Sequence, residues 1–358
     1  MPDGLVLLTG FPGFIGTRLV AALLDADPSL HVAALVEPRM ADRAREVAAR
    51  LDTERVEVLE GDIGERGLGL TGDALDRLRA DVTVVYHLAA IYDLAVPLEI
   101  AQRVNVDGTG NVLDFCADCE RLERLNYVST AYVAGDRTGV VYEHELSVGQ
   151  KFKNHYESTK FQAELWVRHA MDKVPVTIYR PAIVVGDSRT GETQKFDGPY
   201  YILRTIARTM RTGVLQMGTD EASFNVVPVD FVVDALAAGA ADPASVGETL
   251  HLVDPDPISS RELVRRLSQE YASKEPSVRV PTKLLEMSLH RKSVRKAFAG
   301  TPPESVVYLN HPVRFDARRA ADLLARHDLT CPRFEDYVGA MVRFFREHEQ
   351  DPAFTASR

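Results

Sequence analysis

One stretch constrains the fold more than any other. Leu5-Val-Leu-Leu-Thr9 is a short apolar run that passes directly into Gly10-Phe-Pro-Gly-Phe-Ile-Gly16. From Phe14 to Leu24 apolar residues then recur at helical spacing. A strand, a glycine turn and a helix opening thus follow one another without a linker. The alternation continues through His31–Val36 (strand), Met40–Leu51 (helix), Arg55–Leu59, Val82–His87, Arg124–Ser129 and Val174–Tyr179 (strands). Arg180-Pro181 is expected to end the last of these, because proline cannot continue a ladder. Apolar strands alternating with helices predict a parallel sheet covered on both faces. Right-handed crossovers make that sheet doubly wound, in an α/β fold.

The glycines are spaced G-x-x-G-x-x-G. Gly10 permits the tight turn, Gly13 lets backbone approach a pyrophosphate, and Gly16 allows close helix–sheet packing. The helix N-terminus offers free N–H groups and a favourable dipole to that anion. In strand–turn–helix context the pattern predicts a Rossmann-type site for a nicotinamide dinucleotide. The end of the second strand reads Leu35-Val36-Glu37-Pro38-Arg39. Val36 stands where an acid for the ribose 2′-hydroxyl is expected, and Arg39 can reach a 2′-phosphate. The balance favours NADPH, with Glu37 keeping NADH as the alternative. Asp62, after the third strand, either accepts from the adenine amine or shapes a turn. Small Ala89 and Ala90, after His87-Leu88, let backbone pass close to the dinucleotide.

The helix after Val104 carries Val106, Val112, Leu113 and Phe115 on one face. Residues 151–172 predict a helix starting near Lys151 and ending before Pro175. Beyond residue 186 the pattern loosens. A helix over Tyr200–Arg211, a strand over Asn225–Val229, and Asp230 as the cap of a helix to Ala241 are expected. A strand over Thr249–Val253 follows, then a helix opened by Ser259, Ser260 and Glu262, and helices over 281–298, 316–325 and 334–348. The organisation read from this is an NAD(P)-binding Rossmann domain over 1–185, rejoined by 225–253. A smaller, mostly helical C-terminal substrate lobe spans 186–224 and 254–350, and 351–358 form a frayed tail.

A formal net charge of -10 argues against nucleic-acid partners, whose affinity rests on phosphate attraction. The start lacks the basic and apolar regions of a signal peptide, and no run approaches the roughly 18 apolar residues of a membrane span. A cytoplasmic location is expected. Three cysteines suit a reducing compartment. Cys116-Ala-Asp-Cys119 has no second pair, so it is read as a helix end and no metal site is expected.

Tyr156-Glu-Ser-Thr-Lys160 places a phenol and an ammonium four residues apart, on one face of a helix. A lysine charge within about 6 Å lowers a phenol's pKa and suits it to acid–base work. Val128-Ser129-Thr130-Ala131-Tyr132 ends the fifth strand, where a hydroxyl faces the ligand crevice. Counted against Gly135, Thr130 takes the catalytic register, and Ser129 is read as a backbone cap. Thr130 would donate to a substrate carbonyl beside Tyr156.

Together these motifs resemble the extended short-chain dehydrogenase/reductase family over roughly residues 5–255. The resemblance rests on T-G-F-P-G-F-I-G, H-L-A-A, N-V-D-G-T-G-N at 105–111, S-T-A-Y, Y-E-S-T-K, Y-R-P at 179–181 and V-P-V-D-F at 227–231. Within that family the chain is most similar to fatty acyl reductases and the reductase domain of carboxylic acid reductases. The pointers are Ser129–Tyr132, Val185–Glu192, Asp197–Tyr201 and Pro228–Asp230. The resemblance implies Thr130, Tyr156, Lys160 and Asn105 as catalytic residues, with Asn105 acting through backbone or water contacts; a helix cap is its other reading. It implies a cofactor site from Gly10, Phe11, Gly13, Phe14, Ile15, Gly16, Arg39, Asp62, Ile63, Leu88, Ala89, Ala90, Tyr156, Lys160 and Pro181. It also implies reduction of a fatty acyl thioester, presented as acyl-CoA or on a carrier, or of an aldehyde. Hydride would attack the carbonyl, a hemithioacetal would collapse to thiol and aldehyde, and a second transfer could give alcohol.

The alternatives are a secondary-alcohol dehydrogenase or ketone reductase of steroid or flavonoid type, or a sugar nucleotide epimerase or dehydratase. A non-catalytic dinucleotide sensor is disfavoured by the retained Tyr/Lys pair. Residues 186–224 and 281–315 are expected to wall an apolar pocket, with Tyr200, Tyr201, Ile202, Leu203 and Met217 available to line it. The basic stretch 290–296, within the amphipathic segment Leu284–Phe298, is read as a solvated lobe face or as a contact for CoA phosphates or a membrane. Oligomeric state is left open.

Overall fold

A computed structural model describes residues 4–92, 96–211, 213–279, 287–291 and 307–354. Seven strands form the central sheet: β1 (Leu5–Thr9), β2 (His31–Val36), β3 (Val56–Glu60), β4 (Val82–His87), β5 (Arg124–Val128), β6 (Val176–Pro181) and β7 (Thr249–Leu252). Their order is β7-β6-β5-β4-β1-β2-β3 and every neighbouring pair is parallel. The order reverses between β1 and β4, which opens a crevice at the C-terminal strand ends.

Period-two alternation explains the two layers. Val6 and Leu8 pack with Leu19 and Leu23 of α1 (Phe14–Ala26) on one face. Leu7, between them, faces the other layer, with Phe115 of α4 (Gly108–Asp118) and Val167 of α5 (His155–Ala170). Each fully buried side chain of this kind contributes about 1.5–3 kcal/mol. A charge at Leu7 or Leu8 would sit unpaired in one layer or the other. α2 (Ala41–Leu51) and α7 (Val229–Ala241) join the first layer, and α3 (Asp73–Asp81) the second.

A separate apolar cluster lies C-terminal to the sheet. It unites α6 (Tyr200–Thr209), α8 (Ser260–Ala272) and α10 (Phe334–His348) around Phe196, Leu263 and Phe345. α9 (Arg318–Ala325) returns to the main core through Leu323 and Leu324. Within 225–253, β7 pairs with β6 at the edge of the sheet. Val226–Pro228 instead pairs with Ile183–Val185 outside the sheet.

Several local expectations are corrected. α5 begins at His155, not Lys151, because Asn154 caps it: its side chain accepts the Glu157 N–H at 2.9 Å. Residues 102–107 form a π-helical turn before α4. Asp230 lies inside the first turn of α7, whose cap position is Pro228; its carboxylate takes the Ser188 N–H and hydroxyl at 2.8 and 2.5 Å. Pro181 is the last residue of β6, opposite Leu252, and Ala182 N–H donates to Leu252 at 3.1 Å. The helix expected over 281–298 lies mostly outside the described residues. Of the basic stretch only exposed His290 and Arg291 are within them.

Candidate active site

The crevice holds a cleft of about 730 Å³ that runs from the ends of β2 and β3 past the glycine turn to the C-terminal helices. Gly10, Phe11, Gly13, Phe14, Ile15, Gly16, Arg39, Asp62, Ile63, Leu88, Ala89, Ala90, Thr130, Tyr156, Lys160 and Pro181 all line it. Gly10 has φ +93°, and a Cβ there would lie 2.9 Å from the Ala89 amide nitrogen. No L side chain fits that turn, so the chain passes close under β4.

The N-terminus of α1 has no side-chain cap and no acid in its first turn, and its first residues face the cleft. Its N–H groups and dipole are therefore left for an anion. The glycine turn fits a dinucleotide pyrophosphate on these grounds.

At the β2 end, Arg39 pairs with Glu37 at 2.7 Å on the surface. Arg43, one helical turn further, also lines the cleft and makes no ion pair among the described residues. Sequence reading missed Arg43, although its i, i+4 relation to Arg39 was visible. Asp62 is committed to structure: it accepts the Gly64 N–H at 2.8 Å and pairs with Arg103 at 2.6 Å.

Thr130 sits just beyond β5, and its hydroxyl oxygen accepts the Tyr132 N–H at 3.2 Å. The Tyr156 phenol lines the same cleft close by. Burial pushes that phenol up to about 12, and the Thr130 contact only partly opposes it. The expected depression of Tyr156 by Lys160 is thus absent in this arrangement. The physical reason is the position of the ammonium: Lys160 Nζ donates to Tyr127 Oη at 2.9 Å and to the Val128 carbonyl at 2.8 Å. Desolvation pulls Lys160 down to about 7.

Two further expectations change. Ser129 is not a backbone cap; its hydroxyl donates to the buried Glu164 carboxylate at 2.6 Å. Asn105 is buried beneath the cleft and does not line it. Its side chain clamps Ile91, accepting the N–H at 2.8 Å and donating to the carbonyl at 3.1 Å, and donates to Thr159 at 3.0 Å. It holds loop and helix together, in the π-helical turn and not at a cap.

Beyond Tyr156 the cleft continues between Ile183, Ile202, Met217, Phe224, Tyr308 and Leu309, with Tyr201 also lining it. Tyr200 and Leu203, expected to line the pocket, are instead fully buried in the C-terminal core. They point to the far side of α6. Tyr308 was not anticipated; its hydroxyl donates to buried Glu157 at 2.7 Å, which ties the C-terminal region to the start of α5. Cys116 and Cys119 flank the end of α4 as expected, and all three cysteines are free. Among the described residues no helix is long and apolar enough to cross a membrane.

Comparison with known proteins places this geometry. The profile of an NAD-binding family described as Male sterility protein matches residues 8–236. The non-canonical nonribosomal peptide synthetase cpsA of Aspergillus campestris is 28% identical over 70% of this chain and 26% of its own length. The fatty acyl-CoA reductase wat of Drosophila melanogaster is 26% identical over 66% of this chain and 54% of its own. The terminal R domain from the myxalamid PKS-NRPS biosynthetic pathway superposes with a TM-score of 0.81 at 27% identity, covering 98% of this chain and 92% of that one. The chain spans about a quarter or less of the length of the synthetases it matches. With the family profile and the doubly wound sheet in agreement, the chain belongs to the NAD-binding Male sterility protein family, within the extended short-chain dehydrogenase/reductases.

Proposed function

We propose that the chain is an NADPH-dependent reductase of a fatty acyl thioester or aldehyde, with NADH as the poorer cofactor. One observation carries the reading. A single cleft joins an uncapped helix N-terminus, two converging hydroxyls and an apolar far end lined by Ile202, Met217 and Phe224. Thr193, Gln194, Lys195 and Asp197 also line the cleft and offer polar contacts, while on the apolar wall an acyl chain gains about 0.8 kcal/mol per buried methylene. The relatives named as acyl-CoA reductase and peptide synthetase support a thioester on CoA or on a carrier.

Bound nicotinamide would supply hydride to the carbonyl carbon. Thr130 and Tyr156 converge where the carbonyl oxygen would become an oxyanion, and both can donate to it. Tyr156, with its high pKa, stays protonated near neutral pH and serves as the acid. With a thioester the oxyanion re-forms a carbonyl as the C–S bond breaks, and the thiolate leaves to take up a proton. Asn105 acts as a positioning residue, through Ile91 and Thr159. Preference for NADPH is supported by Val36 in place of an acid and by Arg39 and Arg43 on one rim. In this reading residues 186–224 and 254–350 hold the substrate, and 1–185 with 225–253 hold the cofactor. Free cysteines suit a cytoplasmic setting.

The test is a panel of acyl-CoAs, aldehydes, secondary alcohols and sugar nucleotides assayed with both cofactors. NADPH consumption with acyl-CoAs or aldehydes, rising with chain length until the pocket is full, is expected. Turnover confined to secondary alcohols or sugar nucleotides would overturn the substrate class.

A further inference from the structure

Beneath the reacting groups lies a buried chain of hydrogen bonds whose proton order is fixed by counting. Thr109 Oγ1 donates its one proton to the Asn105 carbonyl at 2.7 Å, so it must accept from any other partner. His87 Nε2, at 3.1 Å, is therefore the donor to Thr109. Burial holds the His87 imidazole neutral, down to about 3, so its Nδ1 is an acceptor. Thr9 Oγ1 donates to that nitrogen at 2.7 Å and itself accepts the Ala89 N–H at 3.2 Å.

The Tyr127 hydroxyl lies close to Thr109, and its ring centre stands 5.7 Å from that of His87. Lys160 can only donate to Tyr127, so Thr109, able only to accept, is the neighbour toward which the Tyr127 proton can turn. Its oxygen then presents a lone pair to Lys160 Nζ at 2.9 Å. The ammonium also stands 4.4 Å from the Tyr127 ring centre. All five side chains are buried: none is more than 2% exposed. The chain thus runs from the backbone under the glycine turn to the lysine of the Tyr/Lys pair.

We infer that Tyr127, oriented by Thr109 and His87, is a positioning residue that holds Lys160 as an ammonium on the sheet side of the cleft. Phenylalanine there would keep the ring and remove the acceptor. The other titratable groups around Lys160 among the described residues are Glu164 and Tyr156 on its own helix and His87 on β4. Glu164 is already engaged by Ser129, Arg168 and Arg180, and His87 is neutral. Glu164 favours the charge through space, and Tyr127 and the Val128 carbonyl are the acceptors in direct contact with it. For catalysis the inference rests on the proposed reductase reading; its physical content does not.

The test is direct titration of Lys160 by NMR in protein carrying ¹³C-labelled lysine, with Lys160→Met used to assign the signal. Tyr127→Phe should move the Lys160 midpoint down by about one unit, the size of one hydrogen bond to a charged group. Thr109→Val, which frees the Tyr127 proton to turn, should move it the same way by less, and Thr109→Ser should restore it. These variants keep the proposal testable should Tyr127→Phe fail to fold. In turnover, the alkaline limb that reports loss of the Lys160 proton should shift to lower pH with the same rank order. Coincident Lys160 titrations in wild type, Tyr127→Phe and Thr109→Val would overturn the inference. The titration needs no substrate. A protein that shows the shift but reduces no acyl-CoA or aldehyde refutes the reductase reading alone, and acyl reduction with coincident titrations refutes this one alone.

Discussion

Glu164→Gln is a demanding test of the packing that holds α5 to the sheet. Glu164 is fully buried on α5 and receives Ser129 at 2.6 Å, Arg168 at 3.1 Å and Arg180 at 2.6 Å. Arg180 on β6 is 1% exposed and spends its remaining donors on the Glu143 and Glu145 carbonyls and His251. Removing the carboxylate charge leaves that guanidinium buried without a counter-ion. Breaking one partner of such a pair costs about 3–5 kcal/mol. The amide oxygen of glutamine can keep one Arg180 hydrogen bond, so about 3 kcal/mol is expected. For a chain of this size that lowers Tm by about 5 °C. Burial alone would raise the Glu164 carboxyl; the charge and hydrogen bond of Arg180, with Arg168 and Ser129, override it and hold the carboxyl below its ordinary value. Its stabilisation is therefore complete above the unfolded value of about 4.3 and lost as pH falls through the lower folded value. Thermal unfolding followed by circular dichroism should show a constant gap between wild type and variant from about pH 5.5 upwards, narrowing below about pH 4.3. The double variant Glu164→Leu/Arg180→Met should recover much of the loss. A Glu164→Gln protein as stable as wild type at pH 7, or a gap that widens in acid, would refute the reasoning.

Tyr156→Phe removes the acid and keeps the ring, so steady-state turnover should fall by about 10²-fold or more while NADPH binding, read by fluorescence, persists. Thr130→Ala should cost about 10²–10³ in turnover as a lost oxyanion donor. Ser129→Ala should cost less in turnover and show mainly as lower Tm, because its hydroxyl serves Glu164. Reversal of that order would move the catalytic register by one residue. Arg39→Ala and Arg43→Ala should each erode the NADPH-over-NADH preference in kcat/KM, Arg43 more, since Arg39 already pairs with Glu37. Tighter binding of NADH than NADPH by the wild type would reject the cofactor assignment.

The features legible in sequence are those with short-range causes. β1, β2 and β4 fall where the apolar runs placed them, because two buried faces require unbroken apolar residues. The glycine turn and the Tyr156/Lys160 spacing were readable for the same reason. α3 was not, because Asp73–Asp81 buries only Leu78 and shows no apolar stripe. The start of α5 was misplaced since Lys151–Lys153 carry no stop signal, and only the Asn154 cap marks the boundary. The surroundings of the site were hidden most. Ser129 meets Glu164 across 35 residues and Lys160 meets Tyr127 across 33, and neither pairing leaves a trace in local spacing. Tyr200 and Leu203 were assigned to the pocket on type alone, whereas the orientation of α6 decides which of its apolar residues face it.

The central claim is that the Thr130/Tyr156 end of the cleft brings nicotinamide hydride to an acyl carbonyl. It is tested most directly by isotope transfer. The protein is incubated with NADPH deuterated at the transferable C4 position and a saturated long-chain acyl-CoA, and the products are read by mass spectrometry. The account predicts deuterium at C1 of the aldehyde or alcohol with wild type, and little labelled product with Tyr156→Phe despite bound cofactor. Unlabelled products, or label that appears only when secondary ketones replace the thioester, would contradict it.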